Sequence, residues 1–295
     1  MIHSTVKDKF ISYILVLPAL LFVTVFLLYP MLDNVFISFF KSSGLGKPEF
    51  IGVKNYIRAF QDSNFILSFS NTLIWVIFTL AVPVIGSLLI AVFLKNLKGG
   101  TFYKSIFFLP LTLSFVSTGI IWMNVFSSNN GVLNTILSLL SGGEKVKISW
   151  LASVPLNTVS MLVAWTWQQL GTSMVLFLMG LTTIPNDPIE ASIIDGANKW
   201  QTFIHVTFPM LKPITTVVIT QALVNSFKTF DLIYVITRGG PYRSSETLAV
   251  TMYRETFTMF NIGYGSAISV ILSAIIIMIT GKYIKNQMTR DLLHY

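Results

Sequence analysis

Six long apolar runs separated by polar connectors limit what this chain can fold into more than any other feature. A helix that crosses a bilayer needs about 20 mostly apolar residues, and each run has about that length. Only 11% of the 295 residues are charged, whereas soluble domains carry roughly 25%, and the mean hydropathy is +0.71. The sequence therefore predicts an all-α polytopic membrane protein with six transmembrane helices, at Phe10–Tyr29, Leu73–Leu94, Ser105–Phe126, Val159–Leu181, Ile214–Ile236 and Ala267–Ile284.

The runs form a single membrane domain at residues 10–285, flanked by tails at 1–9 and 286–295. The first run follows Lys7 and Lys9, as the apolar part of a signal peptide does. No small-residue cleavage site follows it, and the run is long enough to span, so we predict that it is retained as a helix.

Lysine and arginine residues predict the orientation of the chain in the membrane. The net charge of +8 could suggest nucleic-acid binding, but the basic residues lie in short connectors, where they orient spans. The tight Lys95–Lys104 turn places three lysines beside two helix ends. Both termini are therefore predicted to be cytoplasmic. This orientation puts ten basic residues inside (Lys7, Lys9, Lys95, Lys98, Lys104, Lys199, Lys212, Lys282, Lys285, Arg290) and nine outside (Lys41, Lys47, Lys54, Arg58, Lys145, Lys147, Arg238, Arg243, Arg254).

The residue types that bind metals or act as nucleophiles are scarce. Cysteine is absent, which excludes a disulfide framework, a thiol nucleophile and a cysteine metal site. The three histidines, His3, His205 and His294, lie far apart in sequence, so no metal site is predicted.

The connector at 183–213 is unusually long and is predicted to lie inside as an ordered helical element. Asp187 is placed to cap a helix that starts at Pro188, with Glu190 completing a capping box. Gly196 then ends that helix in a left-handed conformation.

A second turn follows in the same connector, with Trp200, Phe203 and Ile204 on one face. Pro209 and Pro213 end it before the fifth span. Local chemistry alone leaves two interpretations open: an ordinary interfacial amphipathic helix, or a helix that docks on a partner.

The residue pattern of this connector resembles a motif of a known protein family. Glu190-Ala191-Ser192-x-x-Asp195-Gly196-Ala197, followed at a distance by Pro209, resembles the EAA loop of ABC importer permeases. Ser192 stands where that family usually has alanine. The resemblance implies that the loop is a coupling helix inserted into a groove on a cytosolic ATPase. It assigns coupling to Glu190, Ala191, Asp195, Gly196, Ala197, Trp200 and Phe203.

Other segments extend the resemblance over residues 10–285 and favour the carbohydrate branch, in particular the first of two sugar permeases. It implies a second permease, two cytosolic ATPases, an external solute-binding protein and a bacterial or archaeal cell (inner) membrane; a permease homodimer stays open. The segments are Phe50-Ile-Gly52-Val-Lys-Asn55-Tyr56, Phe102-Tyr-Lys-Ser-Ile-Phe-Phe-Leu-Pro110 and Phe230-Asp231-Leu-Ile-Tyr-Val-Ile-Thr237-Arg-Gly239-Gly240-Pro241.

The chain lacks the phosphate-binding loop of an ATPase. No Gly-x-x-x-x-Gly-Lys-Ser/Thr occurs, and Gly281-Lys282 is followed by tyrosine. We therefore expect a transport subunit that is not an enzyme and holds no cofactor. ATP and Mg²⁺ would bind to the partner subunit.

Polar residues within a span usually face a pore or a partner because they are costly in lipid. The fourth span places Trp165, Gln168, Gln169 and Thr172 on one face, and an aromatic ring beside amides suits a sugar. The family resemblance adds contacts from the fifth span. It nominates Asn225, Ser226 and Thr229 for substrate binding, together with Ala222, whose side chain suits a sugar poorly.

Each of these groups could instead bond between helices or to the partner permease. Lys228 and Asp231, three residues apart, are predicted to form an intrahelical ion pair. Binding of a phosphate or uronate by Lys228 is the alternative.

Three further functions stay open. An ion-coupled secondary transporter would need membrane carboxylates or an inverted repeat, and only Asp231 lies in a span. A membrane enzyme would need converging titratable residues, which the sequence does not cluster. The third function is that of an ABC permease that transports a polyol, glycerol-phosphate or amino acid instead of a sugar.

Overall fold

The computed structural model describes residues 6–44, 46–95 and 97–292, so His3 and His294 lie outside the described residues. The described chain is predominantly helical, as predicted. Its helices are α1 (Val6–Val23), α2 (Tyr29–Ile37), α3 (Lys54–Gln61), α4 (Ser63–Thr79), α5 (Ile85–Lys95), α6 (Gly100–Phe108), α7 (Phe115–Val125), α8 (Val132–Leu140), α9 (Leu156–Thr183), α10 (Asp187–Ile194), α11 (Lys199–Thr202), α12 (Phe208–Met210), α13 (Lys212–Phe227), α14 (Asp231–Ile236), α15 (Leu248–Tyr253) and α16 (Ile262–Leu292).

Short irregular turns and one small ribbon complete the secondary structure. The strands β1 (Phe40–Lys41) and β2 (Glu49–Phe50) pair antiparallel, with Phe40 opposite Phe50. Wider π-type turns occupy Thr24–Leu28, Leu80–Val84, Phe203–Thr207 and Arg254–Thr258, and a 3₁₀ turn occupies Leu109–Thr112.

Within the described residues, three continuous helical stretches are long and apolar enough to cross a bilayer: Leu15–Ile37, Ser63–Lys95 and Ile262–Gln287. Two bent pairs of helices could each serve as one further span. The fourth predicted span is α9, whose 28 residues are long enough to cross. Its centre is less apolar than the other spans, because Trp165–Ser173 includes two glutamines, three hydroxyl residues and a glycine.

The third predicted span, Ser105–Phe126, is bent and not straight. Its two halves, Gly100–Thr112 and Phe115–Val125, meet at an angle of 102°. Pro110 lies in the 3₁₀ turn that ends the first half. The Ser114 side chain then caps the second half by accepting a hydrogen bond from the Ser117 N–H, which restarts the helix in a new direction.

The fifth predicted span, Ile214–Ile236, consists of α13 and α14 with a break at Lys228–Phe230. It begins at Lys212 and turns by 70° from the helices that precede it. The first span also differs from its prediction, because its apolar helix continues past Tyr29 to Ile37.

The chain divides into two compact units, and the first comprises the residues up to Asp62 together with Met252–Ile271. Buried Asn55 ties this unit together, since its amide donates to the carbonyls of Ser38 (2.8 Å) and Phe40 (2.9 Å). Gly263 lies so close that a Cβ there would overlap the Phe40 carbonyl, so only glycine fits this position.

The second unit comprises Ser63–Thr251 and the residues from Leu272 onward. Helix α9 contributes to both of its apolar clusters. One cluster gathers around Trp75, Trp165 and Ile233, and the other around Phe177 and Leu211. The centre of this unit is therefore built on α9.

Two buried asparagine side chains hold the loop after α14 against α4 and the N-terminal end of α9. Asn71 of α4 donates to the carbonyls of Ser244 (2.8 Å) and Glu246 (2.9 Å). Asn157 of α9 donates to the carbonyl of Gly240 (2.9 Å). The loop after α14 thus lies at this end of the unit, 26 residues of α9 away from Thr183.

We expect Asn71→Leu to destabilise the second unit. The substitution leaves two carbonyls without their donor, at a cost of about 1–3 kcal/mol for each buried group. Thermal unfolding of the purified protein in detergent would measure the loss. The control is Ser70→Ala, because the exposed Ser70 hydroxyl bonds only within its own helix. Equal melting temperatures for the two variants would contradict the anchoring role of Asn71.

Candidate functional site

A cavity of about 350 Å³ lies in the second unit where α7, α9 and the break between α13 and α14 meet. The broken helices open this space, because each break turns side chains away from a regular helical face. Its lining residues are Phe115, Trp165, Asn225, Lys228, Thr229, Phe230, Asp231 and Leu232.

An aromatic wall forms one side of the cavity. The Phe115 and Trp165 rings stack with centroids 5.2 Å apart and planes inclined by 16°. Trp75 meets Trp165 edge-on at 5.6 Å, and the Trp165 indole N–H donates to the Thr79 hydroxyl at 3.0 Å. Trp165 is therefore fixed in place with its N–H already bonded, and what it offers the cavity is ring surface.

A polar rim forms the other side, at the helix break. The Thr229 hydroxyl donates to the Asn225 and Ser226 carbonyls at the end of α13. The Lys228 and Asp231 side chains are both exposed. Their predicted ion pair is absent from the described contacts, because α13 ends before Lys228 and the two residues do not share a helix.

The structure brings together only some of the residues predicted to bind substrate. Trp165, Asn225 and Thr229 line the cavity, whereas Gln168, Gln169, Thr172 and Ser226 do not. The Gln168 amide donates to the Leu113 carbonyl at 2.8 Å. The buried Ser226 hydroxyl donates to Leu223 of its own helix, and Ala222 is buried in the second apolar cluster.

Sequence reasoning did not identify Phe115, Phe230 or Leu232 as lining residues. Phe115 follows Ser114 directly, and the cap at Ser114 was the available signal that a new helix starts there. A helix that starts after Ser114 has Phe115 as its first residue, whereas the predicted third span places Phe115 near its middle.

The connector at 183–213 is helical as predicted, but its first cap differs. Helix α10 begins at Asp187 itself, with Asn186 in the capping position and no side-chain capping bond. The capping box predicted at Asp187 and Glu190 is therefore wrong. The two carboxylates still occupy the first turn, where they face the positive end of the helix dipole.

The capping box occurs one helix later, at Asn198 and Gln201. The Asn198 side chain accepts from the Gln201 N–H (2.9 Å), and the Gln201 side chain accepts from the Asn198 N–H (2.8 Å). The predicted left-handed terminator is confirmed at Gly196, where φ is +87°. Hydroxyls of Ser192 and Thr202, 3.1 Å apart, join α10 to α11.

The outer face of α10 is exposed and carries both acidic and apolar groups. Glu190, Ala191, Asp195 and Gly196 are exposed, whereas Ala197 and Phe203 are half-buried. The Trp200 ring, which is 65% exposed, stacks on Phe203 with centroids 6.0 Å apart.

Sequence reasoning also missed an apolar pair on α10. Ile193 and Ile194 are 60% and 85% exposed. Both lie within the helix that the sequence predicts to dock on a partner, and that position was the available signal.

A further cavity, of about 710 Å³, relates this connector to the rest of the unit. Its lining includes Lys95 of α5, Asn186 and Lys199. The Lys95–Lys104 turn and the 183–213 connector therefore lie at the same end of the second unit. Among the described residues, no group of three or more histidine, aspartate or glutamate side chains is placed to hold a metal ion.

Comparison with known proteins relates most of the chain to one transporter family. Residues 63–290 match the model for "Binding-protein-dependent transport system inner membrane component". The osmoprotective compounds uptake permease protein GgtC of Synechocystis is 35% identical over 268 residues, covering 89% of this chain and 93% of GgtC. The arabinooligosaccharides transport system permease protein AraP of Bacillus subtilis is 32% identical over 278 residues, covering 93% and 87%.

The fold agrees with a solved importer. A chain in the crystal structure of a bacterial alginate ABC transporter, in complex with an alginate pentasaccharide-bound periplasmic protein, matches with a TM-score of 0.84. The match covers 97% of this chain and 96% of that chain at 20% sequence identity. The predicted all-α permease fold is thus confirmed, and the chain belongs to the binding-protein-dependent transport system inner membrane components, as a permease subunit of an ABC importer.

Proposed function

We propose that this permease imports a carbohydrate that an external solute-binding protein delivers. The observation that carries the proposal is the cavity in which the stacked Phe115 and Trp165 rings face Asn225, Lys228 and Asp231. A sugar has apolar C–H faces that pack on aromatic rings and a rim of hydroxyls that pair with amides and charges. The names of AraP and of the alginate transporter support the same class of cargo.

The charged rim widens the set of sugars that the cavity suits. Lys228 and Asp231 lie in the cavity wall and are not joined to each other. The Lys228 ammonium group would donate hydrogen bonds to a uronate or phosphate, whereas the Asp231 carboxylate would accept hydrogen bonds from sugar hydroxyls. A neutral or an acidic oligosaccharide is therefore compatible with this rim.

The connector at 183–213 would couple transport to a separate ATPase. Its exposed carboxylates, Glu190 and Asp195, would meet basic groups of the ATPase, while Ile194 and Trp200 would fill apolar recesses. Because the chain has no phosphate-binding loop, the ATPase partner would bind ATP and Mg²⁺. The permease itself would not be an enzyme.

The arrangement of loops supports the predicted orientation. The lysine-rich turn and the coupling connector share one end of the second unit, and the Asn157-anchored loop at Gly240 lies at the other. Both termini would be cytoplasmic, in the inner membrane of a bacterium or archaeon. A second, related permease and two ATPase subunits would complete the importer.

Transport would follow from movement of the coupling connector. Closure of the ATPases on ATP would shift α10 and α11 together, since the hydroxyls of Ser192 and Thr202 join them. The two permease bundles would then rock between inward- and outward-facing states around the cavity.

Gentle affinity purification from the native membrane, followed by mass spectrometry, tests the proposal first. Co-purification of an ATPase and a second permease would support the importer and its heterodimer. A neighbouring solute-binding protein would narrow the cargo. A chain that purifies without an ATPase would contradict the coupling role of Glu190–Ala197.

A second cargo is favoured by one specific relative. GgtC is named for uptake of osmoprotective compounds, so an osmoprotective solute, with a polyol as the test case, is the alternative to an oligosaccharide. Uptake of labelled oligosaccharides and labelled polyols by cells that express the complete importer would separate the two. Transport of the polyol alone would replace the oligosaccharide in this proposal.

We predict that Asn225→Ala and Lys228→Gln weaken substrate uptake by about fivefold to tenfold each. Each substitution removes one polar contact from the cavity, worth about 1 kcal/mol or slightly more. The KM for labelled sugar in proteoliposomes that contain the complete importer would measure the change. Ser226→Ala is the matched control, because that buried hydroxyl bonds only to Leu223. An unchanged KM in both test variants would exclude this cavity as the substrate site.

We predict that Gly196→Pro abolishes uptake whereas Gly196→Asn retains most of it. Proline fixes φ near −65° and removes the N–H that donates to the Ile193 carbonyl, whereas Gly196 has φ +87°. Asparagine tolerates that conformation. Uptake and the amount of assembled complex would both be measured. Normal uptake by the proline variant would disprove the coupling claim.

A further inference from the structure

A groove of about 390 Å³ on the second unit is not used by the proposed transport mechanism. It lies between the end of α5, helix α6 and the last turns of α9. Lys95 lines both this groove and the cavity beside the coupling connector. The groove therefore opens at the end of the unit where the connector lies. Its lining residues are Lys95, Thr101, Lys104, Ser105, Phe108, Met174, Val175, Leu178, Met179 and Thr182.

Two lysines supply the charge of the groove. Lys95 and Lys104 are half-buried, and within the described chain neither forms an ion pair with a carboxylate. A partly desolvated ammonium group without a counter-charge is unfavourable. An anion bound between them would supply the counter-charge.

Two of the three hydroxyl side chains that line the groove already bond within their own helices. Ser105 donates to the Thr101 carbonyl (3.0 Å) and Thr182 to the Met179 carbonyl (2.7 Å), each within its own helix. Both hydroxyl protons are thus in use. A phosphate group would find its donors at the Lys95 and Lys104 ammonium groups.

The remaining wall of the groove is apolar and faces outward. Phe108 is 43% exposed and Met179 is 59% exposed, and Val175 and Leu178 lie beside them, half-buried. These side chains lie in the predicted third and fourth spans, below the lysine-bearing end. A ligand that fills the groove would therefore have a charged end and an apolar body.

We propose that this groove binds one anionic phospholipid, with its phosphate between Lys95 and Lys104 and an acyl chain along Phe108 and Met179. Basic pockets between helices at the cytoplasmic face of membrane proteins suit anionic headgroups. A second permease would meet the apolar wall but leave both ammonium groups without a counter-charge. A free phosphate would pair with the lysines but leave the wall exposed.

Lipid binding to the purified complete importer tests this proposal. Native mass spectrometry would follow titration with dioleoylphosphatidylglycerol, and in parallel with dioleoylphosphatidylcholine. Lys95→Gln/Lys104→Gln removes both charges and should weaken binding of the anionic lipid about 30-fold, since each lysine near a membrane surface is worth about 1 kcal/mol.

Two further variants separate the groove from a general effect of charge. Lys145→Gln/Lys147→Gln removes the same charge from exposed lysines near the opposite end of α9 and should bind the anionic lipid as the unmodified protein does. Lys95→Arg/Lys104→Arg keeps both charges and should restore binding, which distinguishes lost charge from misfolding.

Each remaining result has a defined meaning. Preference for the anionic lipid that only the Lys95/Lys104 glutamine variant loses supports the proposal. Equal binding of both lipids, or equal loss in the Lys145/Lys147 variant, overturns it. Displacement of the lipid by millimolar inorganic phosphate would assign the groove to a soluble anion. If the second permease covers the groove in the assembled importer, the groove is a subunit contact. Displacement by phosphate and coverage by the second permease would each overturn the lipid assignment.

Discussion

A polar backbone group inside a bilayer has no water to bond, so each break in a membrane helix must be satisfied by the protein itself. The structure meets this constraint at both breaks around the cavity. The carbonyl of Leu113, in the bend between α6 and α7, accepts from the Gln168 side chain. The carbonyl of Thr229, between α13 and α14, accepts from the Thr247 hydroxyl. Side chains from other helices and loops thus satisfy a backbone carbonyl in each irregular segment.

The same two breaks create the candidate binding site. The first turns Phe115 onto Trp165, and the second frees Lys228 and Asp231 from a regular helix. A continuous helix would keep its backbone donors and acceptors to itself and present one regular face. Interrupted helices that line a cavity at membrane depth are a general solution of transport proteins, and here the site exists because the helices are interrupted.

Much of this architecture follows from the sequence, and the exceptions share a cause. Apolar length predicts where helices lie, and Gly196 predicts its own left-handed turn, since both depend on neighbours in sequence. The roles of Gln168 and Asn71 depend on carbonyls 55 and more than 170 residues away, which no local pattern encodes. The sequence also gives no local sign of the helix break at Lys228, because neither glycine nor proline lies there. The observed N-cap residue of α10 is Asn186, one position before the predicted Asp187. A difference of one residue lies within the usual ambiguity of helix ends.

Helix α9 runs without interruption from Leu156 to Thr183, and this continuity has a mechanical consequence. Trp165 stands about 27 Å from Thr183 along the helix axis, at 1.5 Å for each residue. Unbroken backbone hydrogen bonds make the segment between them a stiff rod. A displacement of Thr183, where the connector begins, would therefore be carried along α9 to the aromatic wall of the cavity.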